Sequence, residues 1–143
     1  MNLAYWAGLP PSLRVPLGLM AALLERGDRP FAVFDANARY QLPPDEQPCY
    51  AALLQSPLAT EVPSGDSADG HLLKLAVDAA ACVISRDRFR EFRRKYRSVT
   101  RNPDRRLDGT VRDDQIFVPG AELAAGLPAS ADLALLEGLG DIL

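Results

Sequence analysis

Four short apolar stretches, FAVF (31–34), LATEV (58–62), ACVIS (81–85) and QIFVP (115–119), are each preceded by a segment of helical character. This alternation is the strongest constraint on what the chain can fold into. Residues 11–27 carry Leu13, Leu17, Met20, Ala21 and Leu24 on one helical face. Ser12 can cap that helix, Pro16 fits its first turn, and Gly27 ends it. PDEQPCYAALLQS (44–56) predicts a second helix starting near Asp45. SADGHLLKLAVDAA (67–80) predicts a third, with Leu72, Leu75, Ala76 and Ala79 on one side. RDRFREFRRKY (86–96) predicts a basic helix and RNPDRRLDGTVRDD (101–114) a turn-rich loop. Residues 121–143 predict a helical tail broken by Gly126 and Pro128. Helix and strand in strict alternation predict an α/β domain with a mostly parallel sheet and right-handed crossovers.

In such sheets chemistry lies beyond the C-terminal strand ends. That rule selects Asp35 after FAVF, Asp87 after CVIS, and the loop after TEVP, which carries Asp66 and Asp69. Four acids on one rim repel one another, and a hard cation removes that penalty. Each acid also has a structural alternative. Asp69 can cap the following helix, Asp66 can shape the SGDS turn, Asp87 can pair with Arg88 or Arg90, and Asp35 can close an Asx turn.

Charge distribution adds a second constraint. Residues 86–106 hold ten Lys and Arg against three acids, seven net positive charges in a chain whose total is −3. A basic strip on an acidic protein points to a polyanion-binding face, against the plainer alternative of a solvated surface. Phe92 and Tyr96 sit within the strip at helical spacing and are read as docking it on the core. An acidic metal site beside such a strip suits a nuclease: arginines hold the backbone and acids hold the metal.

Other classes find little support. The lone histidine, His71, argues against zinc, and no G-x-S-x-G motif accompanies a nucleophile. GLGD (138–141) falls in the predicted helical tail and is no phosphate loop. A phosphatase with Asp35 as nucleophile lacks its second acid, because Asn37 stands two residues on. Cys49 and Cys82 are read as reduced, core-type cysteines. The N-terminus has no signal-peptide pattern and no apolar run spans a membrane, so the expected location is cytoplasmic.

GDSADGHLLKLAVDAAACVISRDRFREF resembles the core of the NYN/PIN-like ribonuclease domains, among them the nuclease found beside CCCH zinc fingers and the protein-only RNase P nucleases. In that pattern acids open a helix with a KLA-like stretch, and a strand ends in Ser-Asn-Asp before an aromatic-basic helix. DGHLLKLA puts Asp69 on the second acid of the pair, and ISRD puts Asp87 on the strand-end acid. RPFAVFDANARYQLP resembles the second strand of bacterial members, with Asp35, Asn37 and Arg39 on the rim, and DDQIFVPG resembles the closing strand. Ala68 stands where the first acid of the pair is usual, with Asp66 close enough to substitute, and Arg86 replaces the usual Asn. Asn2 fits the Asn of the family's Asp-Gly-x-Asn motif, and Met1 fits its variable position. The motif's Asp and the first strand would then fall upstream of residue 1, with residues 3–6 at most a remnant of that strand.

The resemblance implies a PIN-like three-layer sandwich over residues 1–120, with a mostly parallel central sheet and helices on both faces. The tail, 121–143, is expected to pack on it through Leu133, Leu135, Leu136 and Leu139. It implies an endoribonuclease acting on mostly single-stranded RNA through water activated by Mg²⁺ or Mn²⁺. Asp69, Asp87 and Asp35 would bind the metal, Asp66 would assist, and Asn2, Arg39, Arg86, Arg88, Arg93, Arg94 and Lys95 would contact RNA. A catalytically impaired RNA- or partner-binding module on the same fold is the alternative; a homodimer or an inhibitory protein is a further partner left open.

Overall fold

The computed structural model describes residues 2–136 and 139. Expectations that fall on Met1, on the side chain of Leu135 and on Gly138, Gly140 and Asp141 of GLGD lie outside the described residues. The helices are α1 (Arg14–Glu25), α2 (Ala38–Gln41), α3 (Gln47–Gln55), α4 (Ala68–Asp78) and α5 (Arg97–Thr100). The strands are β1 (Ala32–Phe34), β2 (Ala59–Glu61), β3 (Val83–Ile84), β4 (Arg106–Leu107), β5 (Thr110–Arg112), β6 (Gln115–Val118) and β7 (Leu123–Gly126). None of these helices is long and apolar enough to cross a membrane.

Helix α1 is the spine because it is apolar on two sides. Leu13, just before it, and its residues Leu17 and Met20 enter a core with Phe34, Tyr50 and Leu53, while Val15 and Leu19 enter another with Trp6, Ile116 and Val118. A third core joins Leu73 and Ala76 of α4 to Val83, Phe89 and Val99. The helix stops at Gly27, whose φ of +89° a side chain would resist. Its start is held by Glu46, which has no solvent exposure. Glu46 accepts hydrogen bonds from the Leu13 amide (2.6 Å), the Ser12 hydroxyl (2.7 Å) and the Ser130 hydroxyl (2.8 Å). A carboxylate at a helix N-terminus meets orphan amides and the positive end of the dipole.

The mixed α/β composition matches the expectation, but the single mostly parallel sheet does not appear among the described residues. β1 and β2 form one parallel pair, with Ala32 opposite Ala59, and β3 and β4 form another, with Val83 opposite Arg106. β5, β6 and β7 form a separate antiparallel sheet. The loop predicted over 101–114 therefore contains β4 and β5. It turns into β6 through Asp113 and Asp114, with φ of +51° and +58°. Two consecutive left-handed residues make a hairpin turn whose usual signature is Asn-Gly, so Asp-Asp hid it. QIFVP is not the last strand, because part of the predicted helical tail forms β7, paired with β6.

Three further expectations are corrected. Residues 86–96 are not one helix: Phe89 adopts φ +51°, a 3₁₀ turn follows at Arg90–Phe92, and α5 spans only Arg97–Thr100. The cause is local, since the Asp87 carboxylate accepts the Phe89 amide (2.8 Å) and bends the chain away from helix. The buried face of α4 is Leu73 and Ala76, with Leu75 and Ala79 turned to solvent. Cys82 is exposed, and its thiol faces the Asp104 carbonyl at 3.4 Å. Residues Asn2–Tyr5 form a 3₁₀ turn that delivers Trp6 to the second core. Leu133 and Leu139 are fully buried in the first core, with Leu136 packed against it.

Glu46→Ala is predicted to strand the buried Ser12 hydroxyl, the half-buried Ser130 hydroxyl and the Leu13 amide, costing about 3 kcal/mol of unfolding free energy in denaturant titration. A loss below about 1 kcal/mol would show that the three donors find other partners.

Candidate active site

Asp69 lies in the first turn of α4 but does not cap it. Ser67 does, its hydroxyl accepting the Gly70 amide at 3.1 Å. The Asp69 carboxylate is thereby left to face the space beyond β1 and β3, and no described residue donates a hydrogen bond to it. Asp87 follows β3. One carboxylate oxygen takes the Phe89 amide, and the Asp87 amide donates to the Ser85 hydroxyl (3.0 Å), so its loop is tied at both ends. Asp35 follows β1 and closes an Asx turn by accepting the Asn37 amide at 3.0 Å.

Asp87 and Asp35, distant from Asp69 in sequence, act on it in the fold. Burial pushes the Asp69 carboxyl above the ordinary carboxylate range, and the negative charges of Asp87, Asp35 and Glu91 push it the same way. Asp69 and Asp87 line one cavity of about 480 Å³, together with Arg86, Arg88, Arg90 and Phe92. Glu91, which the sequence did not single out, also lines it. Asp66 stays in the exposed turn before α4 and does not line the cavity. Among the described residues no group of three acids, cysteines or histidines stands close enough to cage a metal.

Three residues expected to contact RNA have partners within the fold. Arg39 is held by both oxygens of Glu61, which also accepts the Tyr50 hydroxyl at 2.8 Å. The Arg39 guanidinium holds the Glu61 carboxyl below its usual range, while burial and Glu61 push the Tyr50 phenol up. Arg86 is clamped: its Nε donates to the Gly109 carbonyl (2.8 Å) and its guanidinium lies 4.5 Å over the Trp6 ring. Asn2 completes the clamp, its Oδ1 accepting the Arg86 amide (2.9 Å) and the Trp6 indole (3.0 Å). A Cβ on Gly109 would come within 2.6 Å of Trp6 and of the Phe117 carbonyl, so only glycine fits. The clamp immediately precedes Asp87 and fixes the strand end that carries it. The Gly of LDGT was its one legible signal, and nothing in the sequence linked that Gly to Trp6.

Arg88, Arg93, Arg94 and Lys95 make no ion pair among the described residues. Arg88 lines the acid cavity, and Arg94 and Lys95 line a second groove. Phe92 and Tyr96 pack against the third core, as their spacing predicts.

A family model described as the Zc3h12a-like Ribonuclease NYN domain matches residues 12–125. The match runs from the start of α1 into β7 and includes Asp35, Asp69 and Asp87. No curated protein matches the chain significantly.

Because the folded chain holds the Asp69 proton more tightly than the unfolded chain does, ionising Asp69 costs stability. That cost is absent below the ordinary carboxylate range and grows as pH rises through it to the raised folded value. Asp69→Asn is therefore predicted to raise Tm at pH 7 in EDTA, with the gain disappearing in acid. A lower Tm at pH 7 would mean that the carboxylate serves the fold.

Proposed function

The chain belongs to the Zc3h12a-like ribonuclease NYN domain family, and from that premise we propose that it is a metal-dependent endoribonuclease. The family is one of ribonucleases with RNA as substrate, and its nucleases are generally dependent on a divalent metal. The proposed reaction is hydrolysis of phosphodiester bonds in single-stranded RNA at the acid cavity. One observation carries this reading. Asp69 and Asp87, brought from different elements, share a cavity and a repulsive field that Asp35 reinforces.

The donor set fits Mg²⁺ or Mn²⁺: the available ligands are carboxylate oxygens, which suit hard cations. The lack of a three-acid cage among the described residues is compatible with an ion held by one or two carboxylates and its own waters. Asp69 and Asp87 would hold it, with Asp35 behind them. When bound, such an ion screens phosphate charge and makes an adjacent water more acidic.

The chain's own residues supply the rest. Asp87 keeps one oxygen on the Phe89 amide, and no described residue donates to the other, which is left for the site. Arg88 and Arg90 stand on the cavity wall and can each take non-bridging phosphate oxygens through paired guanidinium N–H groups. The clamp of Asn2, Trp6, Arg86 and Gly109 positions Asp87. Asp66 and Arg39 are left without a direct part.

Cleavage of a labelled single-stranded RNA with Mn²⁺ or Mg²⁺ is expected, with none in EDTA. Asp87→Asn and Asp69→Asn should each lower the rate by roughly a hundredfold or more while remaining folded. Variants as active as the parent would remove the acids from the reaction. A folded parent that binds RNA without cleaving it would establish the binding-module alternative.

A further inference from the structure

We propose that a second groove, lined by Arg94, Lys95, Arg97, Ser98 and Arg101 and enclosing about 560 Å³, is a backbone subsite for single-stranded RNA lying beyond the acid cavity. This rests on the ribonuclease reading and extends it to where the flanking strand is held.

The groove is built at α5: Arg97 and Ser98 lie in its first turn, Arg101 follows its last residue, and Arg94 and Lys95 come from the turn before it, while Tyr96 and Val99 turn into the third core. The fold uses other cations differently. Arg26, Arg39 and Lys74 take acids, and Arg86, Arg105 and Arg106 take backbone carbonyls. Arg94, Arg97 and Arg101 have neither kind of partner among the described residues, and Lys95 only lies 5.5 Å over the Tyr96 ring. Four unpaired like charges in one groove repel each other and favour a bound polyanion. Ser98 adds a neutral donor among them. Among the described residues no carboxylate and no aromatic ring lines the groove, so it suits phosphates and not bases.

The two sites are neighbours. Phe92 lines the acid cavity, and its ring centroid is 6.1 Å from that of Tyr96, the ring beneath Lys95. A strand leaving the cavity past this aromatic pair enters the groove. RNA long enough to occupy both should bind more tightly, and with a steeper salt dependence, than RNA that fills the cavity alone.

The test measures binding by fluorescence anisotropy in EDTA, with RNAs of about 4 and about 12 nucleotides, across a salt series. Arg97→Gln/Arg101→Gln should reduce the slope of log K against log salt by about 1.4 for the longer RNA, at about 0.7 per lost phosphate contact. Arg94→Gln/Lys95→Gln should do the same, and Arg112→Gln, at an exposed position of β5, should not. Melting curves establish that each variant is folded. An undiminished slope in both double variants, with the parent binding the longer RNA, overturns the groove and leaves the ribonuclease reading standing. Equal affinity of the parent for both lengths also overturns it. Failure of the ribonuclease reading shows separately, as absence of metal-dependent cleavage by the parent.

Discussion

A single buried carboxylate organises this molecule. Glu46 reaches the start of α1 from the 3₁₀ turn before α3 and simultaneously accepts Ser130 from the C-terminal segment. Three parts of the chain, separated by more than thirty residues in each case, are thus locked at one point. A fully desolvated acid is costly unless every lone pair in reach is used, and here the partners are two hydroxyls and a helix-end amide. The orientation of α1 fixed there decides which of its sides meets each core. The placement of β1 and of the β5–β6–β7 sheet follows from that.

The site carries the opposite kind of electrostatics. Where Glu46 is satisfied, Asp69 is half-buried, receives no hydrogen bond from a described residue, and sits in the field of Asp87, Asp35 and Glu91. Such a group is a standing cost, tolerated because the elements presenting it are held elsewhere. Ser67 caps α4, leaving Asp69 no structural duty. Phe89, buried in the third core, anchors the turn that Asp87 shapes. The Asn2–Trp6–Arg86–Gly109 clamp joins the N-terminal turn to the strand end before Asp87, so packing around Trp6 bears directly on the site.

The basic strip is not one surface. Nine of its ten cations divide by use: Arg86, Arg105 and Arg106 bind backbone carbonyls, Arg88 and Arg90 face the acid cavity, and Arg94, Lys95, Arg97 and Arg101 line the second groove. Net charge was readable at once, but this division was not, because it depends on which carbonyls lie within reach. The helix expected over 86–96 failed for a related reason. Phe92 and Tyr96 do pack on the core, yet the run breaks at Phe89, whose amide donates to the Asp87 carboxylate. Likewise, the Asp113–Asp114 turn gave β5 and β6 no recognised turn signal, so a hairpin passed as loop.

Apolar periodicity and strand-end topology are local properties of a chain, and they were enough to determine much here. They located α1, β1, β2, α4 and β3, assigned an α/β class, and selected Asp35, Asp66, Asp69 and Asp87 through the rule that strand ends share a rim. The family pattern in DGHLLKLA and ISRD pointed to Asp69 and Asp87. Tertiary structure alone decided the remainder: that Glu46 is the buried carboxylate, that Asp66 stands aside while Glu91 joins the cavity, and that Arg39 and Arg86 serve the fold. It also decided that the strands of the described residues form three sheets, one of them antiparallel. Each of these outcomes depends on distance between residues far apart in the chain. A side chain's partner is set by packing across cores, and no local pattern encodes it.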